Sequence, residues 1–427
     1  MIIMCEQEYL DILNQELMPA LGCTEPIAIA YAAATARDVL GVFPEHIDLF
    51  CSGNIIKNVS GVVVPNSNGM RGIDAAGTLG IVCGRAESRL QVLENATEED
   101  VFRTKQLLQQ GFAKCYLQEG VENLYVRAIV YSGNNQAEVI IEKHHTDITY
   151  IAKNGVILED HRKKEHASDA ALTELTVLGI LDFSESVNTD KVKKLLDQQI
   201  SMNMAIAHEG IKNTYGVSVG QTLLHTEGCS LSVRARALAA AGSDARMDGC
   251  SLPVMINSGS GNQGMTLSIP VIEYAKELNV GDTKLYRALL ISNLISIHIK
   301  RQIGSLSAFC GAVSAACGAG AAITYLYGGN YDQICSTIVN TLGTTTGIVC
   351  DGAKASCAAK ISCALESAIT AHHMSMEKKR FLADTGLIKG DIEDTIRCVG
   401  CVGRDGMRET DVQIMNIMLR NTPDIKK

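Results

Sequence analysis

The sequence predicts an α+β fold: an N-terminal α+β part with an antiparallel β meander, followed by a mainly α-helical C-terminal part. Two observations carry this. Tyr125-Val126-Arg127-Ala128-Ile129-Val130-Tyr131 alternates, Ser132-Gly133-Asn134-Asn135 turns, and Ala137 to Glu142 returns, the signature of a hairpin or meander between Leu124 and Ile157. After about Glu165 no such alternation recurs, and long Ala/Leu/Ile-periodic segments run to the end, as helices do. At 427 residues the chain exceeds one ordinary core. The expected division is 1–165 for the α+β part and 166–427 for the helical part, with no repeat or low-complexity linker to mark the border.

Taken in order, a first helix is expected from Glu6 to Met18, ending near Pro19. A second has a capping residue at Thr24 or Glu25, Pro26 in its first turn, Ala-rich sequence to Leu40 and Gly41 as its C-terminal stop. Ile47–Cys51 and Val59–Val64 read as short strands around the polar loop Ser52-Gly53-Asn54. Asn66–Gly84 is too glycine-rich to assign. Thr97-Glu98-Glu99-Asp100 then opens a helix running towards Gln110. Abundant Ala and Gly, with no Trp, predict close helix packing through small residues.

Charge and cysteine usage narrow the partners. With 38 Lys+Arg against 47 Asp+Glu, no basic patch suits nucleic acid. Fifteen irregularly spaced cysteines do not form a disulfide framework, so a reducing cytoplasm is expected. The N-terminus lacks the basic and apolar regions of a signal peptide. No charged residue lies between Arg301 and Asp332, but this stretch is built of Gly, Ala and Ser and reads as a buried helix rather than a membrane span.

Several residues carry chemistry. Cys23, in Gly22-Cys23-Thr24-Glu25-Pro26, stands at a helix N-terminus, where the macrodipole and free amides lower a thiol pKa; a structural, cap-adjacent cysteine is the alternative. Cys350 and Cys357 are separated by six residues, which on one straight helix is roughly 10 Å. Spacing alone therefore favours ordinary buried cysteines, unless Asp351-Gly352 turns and a helix starts beyond it. Cys398 and Cys401 form a lone C-x-x-C, a weak metal or redox signal. Gly259-Ser260-Gly261-Asn262-Gln263-Gly264 satisfies GxGxxG, yet no strand ending in an acidic residue follows. A loop that holds a carboxylate on backbone amides and a plain flexible loop both remain open. His144-His145 and His372-His373 read as solvated, and His208 and His298 as structural.

Together, Gly22 to Pro26, Ser258 to Gly264, Phe309-Cys310-Gly311-Ala312-Val313 and Cys350 to Cys357 resemble the L-cysteine desulfidase family, relatives of the iron–sulfur L-serine dehydratases, over essentially the whole chain. The resemblance implies a 4Fe-4S cluster ligated by Cys310, Cys350 and Cys357. Three thiolates leave one iron open as a Lewis acid. It further implies Cys23 as the base, and a substrate loop contributing Ser258, Gly259, Gly261, Asn262 and Gly264. Asn54, Lys57 and Arg404 are weaker candidates for the substrate carboxylate. The implied reaction is β-elimination of L-cysteine to sulfide, ammonia and pyruvate, without pyridoxal phosphate.

Two departures weigh against serine as principal substrate. The serine enzymes carry a histidine-containing motif where this chain has Cys23, and their last two ligands are farther apart. An iron–sulfur L-serine dehydratase remains the alternative. A non-enzymatic iron–sulfur sensor would keep the three cysteines without depending on Cys23. The expected partner is a small amino acid, with neither nucleic acid nor membrane, and a homodimer is an open option.

Overall fold

The computed structural model describes residues 4–162, 175–304 and 306–420. Helix α1 (Glu6–Glu16) leads into a three-residue strand β1 (Pro19–Leu21) and then α2 (Thr24–Leu40). Gly41 closes α2 in the left-handed conformation, as its place in the sequence predicts, while the N-terminal capping position is taken by Cys23. Strand β2 (His46–Cys51) follows as expected. The expected loop Ser52-Gly53-Asn54 instead opens the short helix α3 (Gly53–Val59), because the Ser52 hydroxyl accepts the Ile55 N–H and caps it. In place of the expected strand Val59–Val64 the chain turns, and Val63 forms a single bridge to Arg71. The unassigned glycine-rich stretch contains α4 (Ile73–Cys83), which packs on α2. Helix α5 (Glu98–Gln109) has the predicted reciprocal cap between Thr97 and Asp100.

A six-stranded sheet in the order β3-β2-β4-β5-β6-β7 gives the N-terminal part its layer. Strands β4 (Tyr125–Ser132), β5 (Asn135–Glu142), β6 (Ile148–Lys153) and β7 (Val156–Asp160) form the expected antiparallel meander. Strand β3 (Ala113–Leu117) pairs in parallel with β2, so the whole sheet is mixed. Helix α2 lies against β4 and β5 and buries Ile27, Ile29 and a run of alanines.

From Val177 onward the described chain is helical apart from β8 (Pro253–Met255). The helices Asp282–Ile303 and Gly311–Leu326 run through the centre of this bundle, almost wholly buried. Small residues let them touch: a Cβ at Gly318 would lie 2.2 Å from the Ser292 carbonyl oxygen. Within the uncharged stretch after Arg301, Gly311–Leu326 is thus a core helix. Among the described residues no helix is long and apolar enough to cross a membrane. The expected border near residue 165 lies outside the described residues. The two parts share one hydrophobic core, and β1 pairs antiparallel with β8.

Candidate functional site

The pairing of β1 with β8 sets the site. The antiparallel register sets Leu21 against Pro253, so Gly22 and Cys23 leave one end of this three-residue ribbon and Asn257 to Ser260 follow from the other. Two segments more than two hundred residues apart are thereby held close to one short pairing. The Thr24 hydroxyl donates to the Gly259 carbonyl at 2.8 Å and ties them. Ser260 caps the helix Gly261–Glu277 by accepting the Gln263 N–H.

A second short pairing brings two cysteines together. Phe309 and Val349 form an antiparallel bridge. The Cys310 N–H donates to the Ile348 carbonyl at 3.0 Å, and the Cys350 N–H to the Ala308 carbonyl at 2.6 Å. Cys310 is then the N-terminal capping residue of Gly311–Leu326. Beyond Cys350 the chain turns at Gly352, whose φ of 99° is left-handed and whose hydrogen lies where a Cβ would sit 2.4 Å from the Lys57 carbonyl oxygen. Only glycine fits there. The helix Ser356–Met376 starts after this turn and carries Cys357 in its first turn. Cys350 and Cys357 are therefore not on one straight helix, and the spacing argument against their acting together does not apply.

All four cysteines line one small cavity of about 100 Å³, together with Glu25, Asn58, Arg246, Asn262, Gln263, Gly352 and other residues. Four helices, beginning at Thr24, Gly261, Gly311 and Ser356, present their N-terminal turns to it. Their dipoles make it a place for anions and thiolates. Lys360 adds a cation: it pairs with Asp351, donates to the Val349 carbonyl at 2.8 Å, and acts on Cys310 and Cys357. Burial pushes Cys310 up to about 12. The neighbouring Cys350 and Cys357 thiols reinforce this, and the Ala312 amide and Lys360 oppose it. A donor set of three thiols among helix N-termini and cations suits a group that takes thiolate sulfur. Among the described residues no three His, Cys, Asp or Glu side chains are gathered as they would be around a single metal ion.

Cys23 is 2% exposed, and its thiol donates to Glu25 Oε2 at 2.9 Å. Burial and then the Glu25 charge push this thiol well above its ordinary pKa, against a weaker pull from Arg246. This corrects the expectation from the helix N-terminus, since desolvation and a neighbouring carboxylate outweigh the dipole. Burial would raise the Glu25 carboxyl too, but the His145 imidazole and the Cys23 thiol hold it well below the usual carboxylate range. Asn58 Nδ2 donates to Glu25 Oε1 at 2.9 Å, and His145 Nε2 lies 3.9 Å from the same oxygen.

A larger cavity of about 380 Å³ shares Glu25, Asn58, Ser260, Gln263, Gly311 and Cys350 with the small one, and adds His145, Ser258, Gly259 and Lys300. Burial draws the Lys300 ammonium down to about 8, against the pull of Cys350 and Cys310. The loop residues fall on both cavities: Ser258 and Gly259 on the larger, Asn262 on the smaller and Ser260 on both. Gly264 packs under the loop instead, with a Cβ there only 2.0 Å from the Met255 carbonyl oxygen.

Other sequence candidates lie elsewhere. Lys57 is buried and paired with Asp411 at 2.5 Å, while Asn54 and Arg404 line a third cavity of about 720 Å³, which adjoins the 380 Å³ one at Gly304, Leu306 and Ser307. His145 and His372 are buried, not solvated: His145 packs between Glu25 and Gly259, and His372 Nδ1 lies 3.0 Å from the Thr324 hydroxyl. His298 has the structural role expected, at 2.6 Å from Glu393, and His208 is exposed. Cys398 and Cys401 sit on the helix Ile392–Cys401, away from both cavities. Glu25, His145 and Arg246 were missed as site residues. Glu25 had a visible signal, its place two residues after Cys23.

A family profile described as serine dehydratase alpha chain matches residues 87–416. The chain is 51% identical to a UPF0597 protein of Lachnoclostridium phytofermentans over 414 residues, covering 97% of this chain and 99% of that one. A UPF0597 protein of Desulfitobacterium hafniense is 48% identical, with 97% and 96% covered. One of Bacteroides thetaiotaomicron is 37% identical, with 96% and 97% covered. The matched residues include the glycine-rich loop and Cys310, Cys350 and Cys357, and begin after Cys23 and Glu25.

Proposed function

The chain belongs to the serine dehydratase alpha chain family, and from that premise we propose that it is a carbon–sulfur lyase, an L-cysteine desulfidase. It converts L-cysteine and water to sulfide, ammonia and pyruvate. The observation that carries this reading is the convergence of Cys23 and three further thiols on one buried cavity lined by four helix N-termini. Cys310, Cys350 and Cys357 would hold a 4Fe-4S cluster, which when bound supplies an open iron as Lewis acid for the departing β-substituent.

The chain's own residues handle the proton. Cys23 rests as a thiol hydrogen-bonded to the Glu25 carboxylate. Loss of that proton, passed by way of Glu25 out to the larger cavity, leaves a thiolate whose raised pKa makes it a strong base for the unactivated α-hydrogen. As the Cα–H bond breaks, its electron pair forms the Cα–Cβ double bond and the Cβ–S pair leaves with sulfur. The aminoacrylate then tautomerises to an imine and is hydrolysed to pyruvate and ammonia. Asn58 orients Glu25, and His145 stands next to it on the wall of the larger cavity, where a proton can pass outward. Packing excludes water from Cys23 itself.

Softness selects the substrate. A thiolate leaving group suits iron better than a hydroxide does, and Cys23 with Glu25 lies in a segment outside the family match. An L-serine dehydratase is the competing reading, favoured by the family's description. Anaerobic reconstitution with iron and sulfide, followed by pyruvate release from each amino acid, decides between them. Cysteine should be turned over with the higher kcat/KM, and serine clearly outrunning it would reverse the assignment.

A further inference from the structure

The helix Leu231–Met247 carries three arginines, and among the described residues only two have carboxylate partners. Arg234 pairs with Glu273 and Glu277, and Arg236 with Glu227 and Glu366. Arg246 is 2% exposed, and its Nε has no hydrogen-bond partner. Among the described residues it forms no ion pair. A buried, unpaired guanidinium is costly to keep. Its place in the last turn of a helix recovers only a small part of that cost. Arg246 lines the cavity that holds Cys23, Cys310, Cys350 and Cys357.

The surroundings are built to admit it. A Cβ at Gly261 would fall 2.4 Å from Arg246 Nε and 2.8 Å from Cζ, so this glycine leaves the room the guanidinium occupies. Gly261 is also the first residue of its helix, where N–H groups lack intrahelical acceptors. Beside it Asn262 donates through Nδ2 to the Met247 sulfur at 3.7 Å, which leaves its buried Oδ1 without a partner. The cavity therefore offers an unpaired cation and an unpaired acceptor one residue from a helix N-terminus. A zwitterionic α-amino acid complements both.

We infer that Arg246 anchors the substrate carboxylate over the Gly261 end of the loop, and that Asn262 Oδ1 receives the substrate ammonium. This rests on the elimination reading of the site and supplies its substrate class: an L-α-amino acid with a free carboxylate and a small β-substituent. Bidentate guanidinium–carboxylate pairing fixes orientation as well as affinity. It would turn Cα–H towards Cys23 on the same cavity wall. Arg246 acts here as an anchor and takes no part in proton transfer.

The test compares the wild-type chain with Arg246→Gln and Arg246→Lys after anaerobic reconstitution. Three quantities are read: kcat/KM for L-cysteine and for its methyl ester, iron per chain, and calorimetric binding of L-alanine, which has the head group but cannot eliminate. Arg246→Gln should raise KM for the free acid on the order of 100-fold, the scale expected for truncating one partner of a buried charge pair. Ester turnover should fall far less than turnover of the free acid, iron content should hold, and Arg246→Lys should recover part of the loss. Equal losses on acid and ester would overturn the assignment. So would loss of iron, which would make Arg246 a counter-ion of the cluster. If neither cysteine nor serine is turned over, the elimination reading fails on its own account, and L-alanine then decides. Binding lost in Arg246→Gln upholds the anchor, and binding that is unchanged or never present removes it. A folding defect in Arg246→Gln is not expected, because removing an unpaired buried charge relieves strain; an unfolded variant would itself assign the arginine a structural role and overturn the proposal.

Discussion

The Cys23 thiol donates to the Glu25 carboxylate at 2.9 Å within the opening turn of α2, and the contact separates the two groups in acidity. The thiol is pushed up, and the carboxyl is held down with His145 assisting. A pair with its pKa values driven apart has an assigned proton, which rests on the sulfur while the carboxylate stays ionised beside it. Cys23→Ala should therefore keep the reconstituted iron–sulfur absorption and lose ~100-fold to 10,000-fold of turnover, the usual share of general-base catalysis. Iron content and pyruvate release on the same sample check this. Cluster loss in Cys23→Ala would move the residue among the ligands.

Glu25→Gln tests the other half of the pair. The amide keeps the shape but accepts no proton, so kcat should fall on the order of 100-fold with KM nearly unchanged. The pH–rate profile should change with it. The Glu25 charge is one of the causes that hold the thiol up, so without it the thiol should ionise more readily. The rising limb should therefore move to lower pH, and an unshifted limb would remove Glu25 from the control of the thiol.

Gly352 supports the thiol arrangement through its backbone. A φ of 99° and a carbonyl 2.4 Å from the missing Cβ leave no room for a side chain. Gly352→Ala should cost about 1–3 kcal/mol in strain before the clash is counted. It should also lower iron per chain, because Cys350 and Cys357 lie on either side of the turn. Thermal unfolding and iron assay read the two effects separately.

The meander, α2 and the capped α5 were legible because their patterns are local: alternation, a glycine stop, a reciprocal cap. Helix α4 was not, since glycines that weaken a helical pattern are the residues that let it pack on α2. The four cysteines were visible as candidates, but their convergence depends on the β1–β8 pairing and the Phe309–Val349 bridge, contacts between residues far apart in sequence. Arg246 carries no local signal at all. It sits in an Ala-rich helix with two other arginines, and only the absence of a partner in three dimensions distinguishes it. His145 and His372 looked solvated beside polar neighbours, yet each turns into the protein interior.

His372 gives a pH test independent of catalysis. Burial, and then the neighbouring His373, lower its imidazole from 6.5 to about 4. Below pH 6.5 the unfolded imidazole takes up a proton that the folded one refuses until near pH 4. Its contribution is therefore complete above pH 6.5 and lost as pH falls towards 4, about 3 kcal/mol in all. Urea unfolding at pH 7 and pH 4.5 should show the loss in the wild type, and a smaller one in His372→Gln. Equal slopes in both proteins would contradict the burial effect.

The ion pair between Lys57 and Asp411 holds both strands that carry cluster candidates. Asp411 Oδ1 lies 2.5 Å from Lys57 Nζ, and Oδ2 accepts the Ala308 N–H at 2.9 Å, two residues before Cys310. Lys57 reaches the Cys350 carbonyl at 3.5 Å. Asp411→Ala strands a lysine that is 1% exposed, which should destabilise the chain by about 3–5 kcal/mol. Lys57→Met with Asp411→Leu removes both charges and should recover most of that stability. It should not recover the iron, because the Ala308 N–H still lacks its acceptor and the Cys310 strand loses its tether. Denaturation midpoints together with iron content separate the charge effect from the positioning effect. A double variant as unstable as the single one would show that the pair's desolvated charge is not what Asp411 neutralises.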